Sequence, residues 1–244
     1  MKAIIVALVL LWSSAAGASG LVIGTACTGG PCGNSHTLLS VAAEPFVGGT
    51  FIDSSSYARV VTNGGVTQSA VQVKFGTQSM ENDNIADRIS VPDSPDWTLP
   101  RNFTIAAWYY LPALANVSMV VGQYAGALDR ALFYQVTAAG APRFRAYDGV
   151  NAEIITLVAG NVVLPNQWQY LEVSRDGDLA TLWADGLSAA TDATAAGVLQ
   201  DCTDPVGTTD ISIGAAPIGY FDAWTITSGG WAWNRNHSPP NRRW

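Results

Sequence analysis

An antiparallel, all-β sandwich is the fold this sequence predicts, on three observations. Past residue 35, short runs of β-type residues are separated by Gly, Asn, Asp and Pro, with almost no stretch of helical period. The run Phe103-Thr-Ile-Ala-Ala-Trp-Tyr-Tyr110 places Phe103, Ile105, Ala107 and Tyr109 on one face and Thr104, Ala106, Trp108 and Tyr110 on the other. Both faces are apolar or aromatic, which suits a strand enclosed inside a sandwich. Finally, Trp168 to Gly186 reads as a hairpin closed at Asp176-Gly177, a pair that supplies the left-handed positions of a tight turn.

The remaining elements follow from the same pattern. Ala131 to Val136, Arg143 to Tyr147, Ile154 to Val158, Trp168 to Ser174, Leu179 to Ala184, Asp210 to Gly214 and Gly219 to Thr227 are expected strands. Their spacing of roughly ten residues favours a sandwich. The Ala-rich stretch Ser188 to Gly197 reads as a loop, and no internal repeat is present.

Composition bounds the function. The 244 residues are 48% apolar and only 13% charged, with a net charge of −7, so one sizeable core is expected and no basic surface is available to neutralise phosphates. Nucleic acid is excluded as an expected partner. Residues 1–18 read as a secretory signal: Lys2, the apolar run Ala3 to Trp12 and the small-residue pattern Ala16-Gly17-Ala18. The alternative is a buried N-terminal strand. The apolar run is shorter than the roughly 20 residues a spanning helix needs, so no transmembrane anchor is expected. Residues 19–36, rich in Gly, Thr and Cys, form an N-terminal arm for assembly or a disordered segment. Of the three cysteines, Cys27 and Cys32 enclose a turn-forming spacer and are the candidate disulfide, with Cys202 far away.

Several segments, taken in order, resemble laminin-G-like jelly-roll domains of the concanavalin A-like lectin/glucanase superfamily. They are Lys74-Phe-Gly76, Ile89-Ser-Val-Pro-Asp93, Asn102 to Trp108, the Trp168 to Gly186 hairpin, and Gly219-Tyr-Phe-Asp-Ala-Trp-Thr-Ile-Thr227 with its Pro239-Pro240 exit. Gln169 and Tyr170 stand where the family usually has histidines. The likeness spans residues 37–240 and leaves 241–244 as a tail; the expectation is a complete module with no catalytic domain after it. The style is that of modules in bacteriophage structural proteins and bacterial surface proteins.

The chemistry available argues against an enzyme. Retaining glycosidases of this architecture need two carboxylates roughly 5 Å apart on one strand. The only glutamates are Glu44, Glu81, Glu153 and Glu172, and Glu81-Asn82-Asp83 is followed by Asn84, Ile85 and Ala86 instead of a third acid. A divergent hydrolase, the second alternative, would need a carboxylate pair such as Glu172 with Asp185 to converge in space. His36 and His237 are the sole histidines and sit near opposite ends, which disfavours a nucleophile–base pair.

The resemblance implies calcium, held at the sandwich rim by oxygen ligands, with Asp129, Asp148, Asn151 and Asp222 as candidates. Glycan binding needs aromatic platforms beside polar groups. Trp108, Trp168 and Trp183 lie on expected strands and are assigned to the core, leaving Trp97, Tyr110, Tyr124, Tyr147, Trp231 and Trp233 as the exposed candidates. The expectation is a non-enzymatic, extracellular and oligomeric module of a virion or cell surface, engaging glycans or neighbouring subunits. A secreted, calcium-dependent lectin-like binder is the alternative.

Overall fold

The computed structural model describes residues 36–84, 86–99, 101–115, 117–126, 129–148, 152–197, 211–213 and 219–228. Residues 1–35, which hold the segment read as a secretory signal and all but the last residue of the expected N-terminal arm, lie outside them with Cys27 and Cys32, as do Cys202, Asn151, Trp231, Trp233 and the side chains of Tyr124 and Asp129.

Among the described residues the chain forms sixteen strands: β1 (His36–Val47), β2 (Thr50–Asp53), β3 (Thr62–Gly64), β4 (Thr67–Ser69), β5 (Ser79–Asn82), β6 (Arg88–Val91), β7 (Phe103–Tyr110), β8 (Ser118–Gly126), β9 (Asp129–Val136), β10 (Pro142–Tyr147), β11 (Glu153–Val158), β12 (Trp168–Asp176), β13 (Leu179–Ala184), β14 (Leu187–Asp192), β15 (Ile211–Ile213) and β16 (Gly219–Ser228). One 3₁₀ turn, Pro95–Trp97, is capped by the Ser94 side chain. A nine-stranded sheet runs β14-β13-β12-β7-β16-β1-β2, with β5 joined to β16 and β4 to β5. A seven-stranded sheet runs β11-β10-β9-β8-β15-β6-β3. Every pairing is antiparallel.

The all-β sandwich read from the sequence is therefore the fold. β1 to β6 and β8 add strands beyond those expected, and β14 occupies the first part of the stretch read as a loop. Its Ala189 and Ala190 pack against the core, and β14 adds an edge strand to β13. Alanine has low β-propensity, and the pairing with β13 overrides it.

The core lies between the sheets and follows strand alternation. Phe103, Ile105, Ala107 and Tyr109 of β7 and Leu171 and Val173 of β12 face Leu132, Tyr134 and Val136 of β9 and Phe144 and Ala146 of β10. Phe103 and Phe144 meet across the layers with ring centroids 6.2 Å apart. The Tyr109 hydroxyl donates to the carbonyl of Val120 at 3.2 Å, crossing from one sheet to the other. Each large apolar side chain so enclosed stabilises the fold by about 1.5–3 kcal/mol.

The β9–β10 turn depends on Gly140. Its φ is +81°, and an added Cβ would stand 2.4 Å from the backbone oxygen of Val163. At the sandwich edge, Asp192 of β14 reaches the other sheet, accepting from Thr156 N of β11 at 3.1 Å, and also takes Thr194 N and Oγ1. Burial alone would raise its carboxyl, but these hydrogen bonds and the charge of Arg175 hold it below its ordinary value.

Gly140→Ala is expected to destabilise the fold by about 1–3 kcal/mol in urea unfolding, because it combines a left-handed backbone with a backbone contact. The contribution of Asp192 has a defined pH window. Because its folded value is depressed, the stability it adds is complete above the unfolded value of about 3.9 and is lost as pH falls through the folded one. The unfolding midpoints of wild type and Asp192→Ala should therefore differ near neutral pH and converge in acid, as pH falls through the depressed folded value.

Candidate functional site

The same alternation that fills the core places a second set of rings on the outer face of the nine-stranded sheet. On β7, Trp108 and Tyr110 point away from the core faced by Ala107 and Tyr109. On β12, Trp168, Tyr170 and Glu172 alternate with core-facing Leu171 and Val173, and on β13 Trp183 lies between core-facing Leu182 and Ala184. Register then joins them: Trp168 is opposite Tyr110, Tyr170 opposite Trp108, and Glu172 opposite Trp183.

The result is a platform of half-buried rings. Tyr110 and Trp168 have centroids 5.8 Å apart, and Trp108 and Tyr170 5.4 Å. Such cross-strand aromatic pairs are each worth roughly 0.5–1.5 kcal/mol beyond the area they bury. Trp183 is oriented by its indole N–H, which donates to Ser174 Oγ at 2.8 Å.

Acidic groups are set among these rings and held by them. The Tyr170 hydroxyl donates to Glu172 Oε2 at 2.7 Å. Burial first, and then the Glu172 charge, push the Tyr170 hydroxyl well above its ordinary value, so it remains a donor. Asp185 (φ +50°), at the β13–β14 turn, accepts from Tyr170 N at 2.9 Å and Gln169 Nε2 at 3.2 Å. Asp222 of β16 stands opposite Trp108, is buried, and accepts from Phe75 N at 3.2 Å.

That last bond fixes a segment over the sheet. Phe75 meets Trp108 edge-on at 5.9 Å, and the Lys74 ammonium lies 3.7 Å from the Trp108 centroid. Burial lowers the Lys74 ammonium from its ordinary value, and the charge of Asp185 opposes the shift.

The structure redistributes the aromatic residues singled out from the sequence. Tyr110 belongs to the platform. Trp97 does not: it is fully buried, its indole N–H donates to Pro92 O, and the Arg59 guanidinium lies 4.4 Å from its ring. The 3₁₀ turn capped by Ser94 carries this ring inward. Tyr147 is also buried, under the Arg130 guanidinium at 4.0 Å, with its hydroxyl donating to Glu153. Conversely Trp108, Trp168 and Trp183, assigned to the core from the sequence, are half-buried on the outer face. The signal that could have placed them is polar company at the same parity, namely Glu172 and Ser174 in line with Trp168 and Tyr170.

Of the four candidate calcium ligands, Asn151 and the Asp129 side chain lie outside the described residues, and Asp148 and Asp222 stand on different sheets. Asp222 is in the nine-stranded sheet, whereas Asp129 opens β9 and Asp148 follows β10 in the other sheet. Asp148 Oδ1 accepts from Ala152 N at 2.8 Å, closing its own turn. Among the described residues, no group of three or more His, Cys, Asp or Glu gathers to hold a metal. No helix among them is long and apolar enough to cross a membrane.

Comparison with known proteins agrees with this architecture. No curated protein matches the chain. Among solved structures, the binding domain of botulinum neurotoxin serotype D is 13% identical, with a TM-score of 0.59 over 81% of this chain and 49% of that one. The receptor binding domain of the mosaic serotype C/D neurotoxin is 12% identical, with a TM-score of 0.60 over 81% and 48%. The binding domain of neurotoxin DC in complex with SialylT is 11% identical, with a TM-score of 0.59 over 80% and 48%. The chain thus spans about half the length of the structures it matches, and at these identities the likeness is one of fold. Residues 82–226, more than half of the chain, match the laminin-G-like family described as the concanavalin A-like lectin/glucanases superfamily, and the chain belongs to that family.

Proposed function

We propose that this protein is a non-enzymatic carbohydrate-binding module that works at a virion or cell surface, engaging glycans through the outer face of its nine-stranded sheet. The observation that carries the reading is the platform of Tyr110, Trp168, Tyr170 and Trp183, half-buried rings on a rigid sheet with polar groups set between them. Sugar rings offer apolar faces and hydroxyl edges, and such a surface offers both complements. Sites on strands hold their geometry better than sites on loops.

Two further points support it. Among the fold neighbours, the binding domain of neurotoxin DC is found in complex with SialylT, and cell entry of botulinum neurotoxin type C depends on interaction with two ganglioside molecules. The acids nearest the platform serve structural bonds: Glu172 takes the Tyr170 hydroxyl, and Asp185 takes Tyr170 N and Gln169 Nε2. That use favours binding over hydrolysis.

In a broad oligosaccharide panel read by calorimetry, Trp168→Ala and Trp183→Ala should each weaken the bound sugar on the order of tenfold. The thermal midpoint should move little, and no reducing ends should be released. If both variants bind sugar like wild type while their sedimentation changes, the rings are a contact between subunits and the proposal fails.

A further inference from the structure

Lys74 is the one cation among the described residues that lies against the aromatic platform, and it is placed there by a pinned segment. Ser79 Oγ donates to Gln72 O at 2.5 Å, Phe75 N to Asp222 Oδ2 at 3.2 Å, and Thr77 N and Oγ1 to the Glu44 carboxylate at 3.2 and 2.8 Å. These anchors bracket Lys74 on both sides. Its ammonium rests on the Trp108 face at 3.7 Å and lies 5.9 Å from the Phe75 centroid. Ring faces attract a cation, but they accept no hydrogen bond in the ordinary sense. An ammonium has three N–H donors, and among the described residues no oxygen accepts from Lys74 Nζ.

The neighbouring acids are committed elsewhere. Asp222 holds Phe75 N, Glu172 holds the Tyr170 hydroxyl, and Asp185 holds Tyr170 N and Gln169 Nε2. Asp185 attracts the ammonium through space without a hydrogen bond to it. A half-buried cation with unused donors, fixed beside stacking surfaces, is matched by an acceptor that carries negative charge and is attached to a ring.

Resting on the glycan-binding reading above, we infer that Lys74 is the specificity-determining residue of this face and selects acidic sugars, pairing its ammonium with the carboxylate of a uronic-acid unit. In this arrangement Trp108 seats the lysine, and the platform beside it supplies the faces on which a sugar ring stacks. Burial lowers the Lys74 ammonium from its ordinary value, and a bound carboxylate would offset that cost.

The test uses matched oligosaccharide pairs that differ only in the C6 group: glucuronate against glucose, galacturonate against galactose, and mannuronate against mannose oligomers. Wild type and Lys74→Met are titrated with each by calorimetry. Wild type should bind the acidic member of at least one pair more tightly than the neutral member, on the order of tenfold, and Lys74→Met should abolish that preference while keeping the neutral affinity. The retained neutral affinity also reports an intact fold. If wild type binds both members alike or prefers the neutral one, if Lys74→Met keeps the preference, or if it loses both members together, the inference is overturned and the glycan reading stands. Failure of wild type to bind any oligomer in these pairs or in the broad panel overturns both.

Discussion

The pairing of β7 with β12 is the constraint on which both the core and the outer face depend. It runs without a break from Trp168 opposite Tyr110 to Arg175 opposite Phe103. Side chains alternate with period two, so this register sends Ile105, Ala107, Tyr109, Leu171 and Val173 inward and Trp108, Tyr110, Trp168 and Tyr170 outward together. A slip of one residue by β12 would turn Glu172 in among apolar side chains and drop the aromatic pairs out of contact. The buried Leu and Val side chains that oppose such a slip therefore also set the geometry of the platform.

Arg175 shows how the same register is closed at its far end. It shares the inward parity of Leu171 and Val173, yet it carries charge, so its burial requires acceptors. Its Nε donates to Gly177 O, and Nη2 to the carbonyls of Ala195 and Gly197, tying the β12–β13 turn to the segment after β14. Burial, and then the charge of Arg101, lower this guanidinium from its ordinary value, while Asp192 opposes them. The carbonyl cluster is thus as much a part of the core as the leucines, and it explains why the chain beyond β14 packs back on the sandwich.

Much of this fold was legible in the sequence because local signals and tertiary structure agree. β7 and β13 begin and end where their alternation predicts, and Asp176-Gly177 closes the hairpin between β12 and β13. The outer face was legible only in part. An aromatic residue on a strand has the same local pattern whether it faces a core or a ligand, so Trp108 could not be placed from its own segment, and Trp97 sits on a 3₁₀ turn whose burial depends on distant chain. Trp97 is carried inward by a 3₁₀ turn and covered by Arg59, which lies 38 positions earlier by subtraction of residue numbers. Lys74 and Phe75 reach Trp108 through Asp222 near the other end of the described chain, a contact that no window of sequence contains. β14 was missed for the related reason that edge pairing, not propensity, makes it a strand.

The proposed function requires that ligand meets the outer face of the nine-stranded sheet and not the interior or the opposite sheet. The most direct test follows the indole and backbone N–H signals by NMR as a binding oligosaccharide is added. The indole signals of Trp168 and Trp183 should move in step with occupancy while that of Trp97, bonded to Pro92 O in the core, stays fixed. Shifts confined to residues of the seven-stranded sheet, such as Phe133 and Arg145, with the platform tryptophans unmoved at saturation, would contradict it.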